Sequence, residues 1–111
     1  MAIESAVSAA KRYLHALEQI GFRVSFGVVF GSSAAGQAND WSDIDLLVVS
    51  TRFDGVLNRR DIDTLWRTAA HLDSRIEPVP CGERQWMEDR TSAVIEIARR
   101  EGQVVSFTEA A

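Results

Sequence analysis

Cysteine is nearly absent from this sequence. Cys81 stands alone, so no internal disulfide can form, and a reducing cytoplasm is the expected location. Proline occurs only at Pro78 and Pro80, and no Pro-rich or low-complexity linker divides the chain. No apolar run approaches the ~20 residues that span a bilayer, so no membrane partner is expected. The amino terminus, MAIESAVSAAKRYLHALEQIG, carries Glu4 before Lys11 and Arg12, the wrong order for a secretory signal. Lysine is missing except for Lys11; every other member of the 12 Lys+Arg is arginine. A net charge of −4 argues against broad or direct nucleic-acid binding, which needs a basic stripe to neutralise phosphates. Arginine suits bidentate phosphate or carboxylate contacts, but the plainer reading of this bias is compositional, with solvated faces.

What is present is ordinary for a soluble globular chain: 46% hydrophobic and 25% charged residues over 111 positions, read as a single domain, 1–111. Val7, Ala10, Leu14 and Leu17 recur at helical spacing with Gly21 as a stop, giving a helix over about residues 5–20. VSFGVVF, from Val24 to Phe30, reads as a buried strand bounded by glycines, and DIDLLVVS, from Asp43 to Ser50, as a second, central strand. GSSAAGQANDW between them is a small, polar turn. Asn58 caps a helix whose inward stripe is Ile62, Leu65, Ala69 and Leu72. RIEPVP, from Arg75 to Pro80, is a third strand, confined to a sheet edge by its two prolines. A last helix spans about Thr91–Glu101, with Val94, Ile97 and Ala98 inward and Gly102 ending it, and QVVSF adds a small strand. The order describes an α/β or α+β domain, a small mixed sheet covered by helices.

Three features carry chemistry. Gly31-Ser32 follows a strand directly; glycine permits a sharp turn close to a ligand, and free N–H groups at a helix start attract phosphate oxygens. Asp43-Ile44-Asp45 opens the next strand, so both carboxylates leave the same face, about 6.6 Å apart at ~3.3 Å per residue. Side by side they repel and raise one pKa, unless a divalent cation lies between them. A polar strand entrance with two solvated aspartates is the plain alternative. Glu77, between Ile76 and Val79 in the third strand, is either an edge charge or a third member of the same group.

Together, Gly31-Ser32, ten intervening residues, Asp-x-Asp and a third strand with an apolar-acid-apolar pattern resemble the signature of the DNA-polymerase-β-like nucleotidyltransferases. FGSSAAGQANDWSDIDLLVV is similar to the version in the minimal nucleotidyltransferases, the MNT family, whose members are often paired as antitoxins with a HEPN-domain toxin. The resemblance covers roughly Ser25 to Pro80. It implies an α+β nucleotidyltransferase (polymerase-β-like palm) fold. It also implies a magnesium site on Asp43, Asp45 and Glu77 holding two ions, and a phosphate turn at Gly31 and Ser32. The implied activity is transfer of a nucleoside monophosphate, AMP from ATP, to a hydroxyl of a partner protein, the HEPN toxin by analogy. Homo-oligomerisation is left open.

One departure is visible. Many relatives carry arginine within the turn, whereas Ser33, Ala34 and Ala35 stand here before Gly36, weakening the triphosphate clamp; Arg52, just past the second strand, is a candidate substitute. The rival reading is an antitoxin that neutralises a partner by contact alone. A sugar transferase using Asp-x-Asp would need more chain than 111 residues. His15 and His71 lie off the apolar stripes and are expected in solvent. Trp41, Trp66 and Trp86 divide between core and interface roles.

Overall fold

The computed structural model describes residues 5–31 and 43–106. Helix α1, Ala6–Gln19, starts where Ser5 Oγ accepts the N–H of Ser8 at 3.1 Å, and the chain turns away at Gly21, which has φ 86°. Its inward stripe is Ala9, Ala10, Tyr13, Leu14 and Leu17, with Val7 half-buried beside it. Strand β1, Phe26–Phe30, and strand β2, Ile44–Val49, are each slightly shorter than the apolar runs that contain them. Ser50 then starts a single 3-10 turn, Thr51–Phe53, which buries Phe53 against Phe22. Helix α2, Arg59–Leu72, is capped by Asn58, whose Oδ1 accepts the N–H of Arg60 at 2.8 Å.

Strand β3, Ile76–Cys81, pairs in parallel with β2, which pairs antiparallel with β1; strand β4, Gln103–Val105, closes the order β3-β2-β1-β4. β3 occupies an edge, as its prolines require. The carbonyls of Arg75 and Cys81 accept from the backbone N–H groups of Ile44 and Ser50 on the neighbouring strand, so the odd-numbered residues of β3 bond to β2. The missing N–H groups of Pro78 and Pro80 therefore fall on the open side.

The sheet is covered on both faces. One face packs on α1 and α2 through Val29, Ile44, Leu46, Val48 and Ile76. Packing at Gly27 is close, since a Cβ there would come within 2.9 Å of Leu14 Cδ1 and the leucine would have to shift. The other face, with Val28, Phe30, Leu47, Val49 and Cys81, is covered by helices α3, Glu83–Glu88, and α4, Ala93–Glu101. The inward stripe of α4 differs from the sequence expectation. Ile95 and Ala98 are buried, while Val94 and Ile97 are 41% and 37% exposed. The physical cause lies at the end of the helix, where Gly102 fits against Val28 and the Val29 carbonyl so closely that no side chain would be accommodated. With the helix end held that close to β1, Ile95 and Ala98 pack on the sheet. No helix of the described residues is long and apolar enough to cross a membrane.

Candidate active site

Because β2 and β3 are parallel and β1 is antiparallel to them, their polar ends meet at one end of the sheet. Phe30 faces Asp45 across β1 and β2, and Asp45 faces Glu77 across β2 and β3. Strand alternation puts Asp45 and Glu77 on the α3–α4 face, in the row beyond Leu47 and Val79. Asp43, exposed, lies just before β2, and the Glu77 carboxyl is hydrogen-bonded to it. Gly31 follows Phe30 with φ 77°, and a Cβ added there would run into Asp45 Oδ2. Four of the residues singled out from sequence, Gly31, Asp43, Asp45 and Glu77, are thus neighbours in space. Ser32 and Trp41 lie outside the described residues, as does the turn between them.

The electrostatics follow from this crowding. Glu77 is raised above the usual glutamate range, chiefly by its hydrogen bond to Asp43, then by desolvation and by the charges of Asp43 and Asp45. Asp45 is raised first by burial and then by the charge of Asp43. The raised Glu77 and Asp45 carboxyls mark a place where burial and neighbouring negative charge disfavour ionisation. Among the described residues, no group of three His, Cys, Asp or Glu stands in geometry ready to hold a metal ion. The donor chemistry nevertheless fits a hard divalent cation: clustered carboxylates without thiol or imidazole.

Arg52 does not reach this group. It lies past the opposite end of β2, where its Nη2 holds Asp61 Oδ1 at 2.7 Å and its guanidinium stacks 4.5 Å from the centre of the Phe22 ring. It therefore cannot replace an arginine in the turn after β1. His15 and His71 are exposed, as expected. Trp86 is half-buried, edge-on to Phe26 at 5.6 Å, and Trp66 is 48% exposed. Sequence reading missed α3; the signal was Gln85, three residues after Gly82, whose Oε1 accepts the Gly82 N–H at 3.0 Å. It also missed the close approach of Gly31 to Asp45, which no local pattern encodes.

A small mixed sheet with acidic side chains gathered at one end, beside a glycine turn, defines the palm-like class of nucleotide-transferring folds. The chain belongs to the nucleotidyltransferase domain family, whose model matches residues 10–100. The fold is also similar to the crystal structure of a Sulfolobus solfataricus protein provisionally assigned as a nucleotidyltransferase. The TM-score is 0.56 at 17% identity, over 89% of this chain and 78% of that one. No curated protein matches the chain. Nucleotidyltransferase domains generally use a nucleoside triphosphate and a divalent metal, which makes this chain a transferase with a triphosphate substrate.

Proposed function

We propose that the protein transfers a nucleoside monophosphate, AMP from ATP, to a hydroxyl of a partner protein, with magnesium held by Asp43, Asp45 and Glu77. The observation that carries this reading is the convergence of Asp43, Asp45, Glu77 and Gly31 at one sheet end, within the matched family span. Magnesium bound there would neutralise phosphate charge and polarise the reacting phosphoryl group. Asp43 and Asp45 would hold the nucleotide's metal. Glu77 would complete the second metal site and favour loss of the acceptor's proton. The backbone at Gly31, unobstructed by a side chain, would let the phosphates approach Asp45, with Ser32 donating to them. A HEPN-type toxin is the partner suggested by the resemblance of the turn and Asp-x-Asp segment to MNT proteins, and this chain would then act as its antitoxin.

The second reading, neutralisation of the partner by contact with an idle site, is favoured by the missing turn arginine and by the distant placement of Arg52. Magnesium with ATP should stabilise the wild-type chain by mass action, ~2.7 kcal/mol at a hundredfold excess over Kd. Asp43→Asn should show no such gain in a thermal melt. Equal shifts in both proteins would refute the metal site. The intact mass of the co-expressed partner then decides between the readings. Added AMP units support transfer, and an unmodified but inhibited partner supports contact.

A further inference from the structure

The chain carries net negative charge, yet its cations are not evenly spread. Helices α1 and α2 lie side by side on one sheet face, joined where the Tyr13 hydroxyl donates to the Leu65 carbonyl at 2.8 Å. α2 crosses back between parallel strands and so runs against β2, while α1 leads by a short turn into β1 and runs against it. The two helices are therefore antiparallel. Lys11, two residues before Tyr13, comes level with Trp66 and Arg67, just after Leu65. Lys11, Arg59, Arg60 and Arg67 are all exposed, and among the described residues none makes an ion pair. Asp63 is the one exposed acid of the two helices. The other acids are turned inward to internal partners: Asp61 holds Arg52, and Glu18 Oε2 accepts the Val24 N–H at 3.1 Å. Amid these unpaired cations stands Trp66, 48% exposed on a helix whose inner stripe has no need of it.

We infer that this α1–α2 face is a docking surface for a protein that presents an acidic patch around an apolar recess for Trp66. Tryptophan and arginine are the residues most enriched among those that dominate protein–protein binding energy, and unpaired guanidinium groups supply bidentate recognition of carboxylates. Charge complementarity fixes the sign of the partner. A single-stranded nucleic acid fits less well. Asp63 sits one helical turn from Trp66, and the whole chain at −4 repels a polyanion at long range. The surface lies on the sheet face opposite the one carrying Asp45 and Glu77, so the inference stands independently of the transferase reading.

The test uses the full chain and two fluorescein-labelled probes, an amphipathic peptide of repeated Glu-Glu-Leu-Leu and a single-stranded oligo(dT) of matched charge. The peptide should bind in a salt-dependent way and shift tryptophan emission to the blue. Lys11→Glu combined with Arg67→Glu should weaken it at least tenfold, as should Trp66→Ala alone, which keeps the test decisive if the double reversal folds poorly. Arg100→Glu, on α4, should change nothing. Failure of the peptide to bind, equal binding by wild type and variants, or tighter binding of the oligo(dT) would each overturn the proposal.

Discussion

At one end of β2, Asp45 and Glu77 have Asp43 for company, and both carboxyls are pushed above their ordinary range. At the other end every carboxylate has a partner: Asp61 receives Arg52, Glu83 receives the Ser25 hydroxyl, and Asp54 Oδ1 accepts the Arg84 N–H at 3.1 Å. The same residue types thus serve opposite ends. Where a donor is built in, the carboxylate stabilises a junction between elements. Where Asp43, Asp45 and Glu77 are gathered, burial and neighbouring charge raise Asp45 and Glu77, and the arrangement suits a cation from outside. Sites of this kind hold repulsion that binding relieves, so the two ends should respond oppositely to mutation.

The largest effect expected is on chemistry. Glu77→Gln removes one proposed metal ligand and keeps the side chain's shape. Outer-shell changes already cost 10–100-fold in comparable sites, so loss of a direct ligand should lower transfer by on the order of a hundredfold or more. The fold should be unharmed, since Glu77 makes its hydrogen bond only within the acidic group. Single-turnover transfer beside a denaturant melt checks both halves. Normal turnover by a folded variant would remove Glu77 from the site.

Next comes Gly31→Ala. A non-glycine residue in the left-handed region costs roughly 1–2 kcal/mol, and here the new methyl also meets Asp45 Oδ2. The variant should lose about 2 kcal/mol and bind magnesium-ATP more weakly, because Asp45 must move. A neutral melt would show that the turn relaxes freely.

The far end supplies a similar but smaller test. Arg52→Ala leaves the Asp61 carboxylate, with the residue only 8% exposed, without its cation. An uncompensated, mostly buried charge is expensive, but Arg52 itself is 44% exposed, so screening limits the loss to ~1–2 kcal/mol. Adding Asp61→Asn should recover part of it. If the double variant is worse than the sum of the singles, the junction is not held electrostatically.

Much of this was legible in the sequence, and the boundary is instructive. Strand alternation alone put Asp43 and Asp45 on one side, and Pro78 with Pro80 sent β3 to an edge. Parallel pairing then brought Glu77 level with Asp45, which needs the crossover by α2 and so cannot be read locally. Val94 and Ile97 were misjudged as inward because they are as apolar as Ile95, and the face that meets the sheet depends on tertiary packing such as the close seating of Gly102 on Val28. The direction of Arg52 was likewise invisible, since it depends on where α2 places Asp61.

The smallest effect, and the one that compares carboxylates directly, is in pH dependence. Asp73 is held below its ordinary range, first by its side-chain hydrogen bond to Arg75, whose Nη2 lies 2.7 Å from Asp73 Oδ2. A depressed folded pKa means that the ionised form stabilises the fold. That contribution is present above the unfolded pKa and fades as pH falls through the folded one. Asp45 is raised, so its sign is reversed. Its protonated form favours folding, and that contribution is complete below the unfolded pKa and is lost as pH rises through the folded one. At neutral pH without metal, Asp73→Asn should therefore destabilise and Asp45→Asn should leave stability unchanged or slightly raised. Both differences should shrink toward acid, from opposite sides, once the wild-type carboxyls are protonated. Urea melts of the three proteins from neutral pH down to below the carboxylate range give the comparison directly. Losses of the same sign and size at neutral pH would mean that Asp45 is a structural residue like Asp73, and that the acidic end holds no repulsion for a metal to relieve.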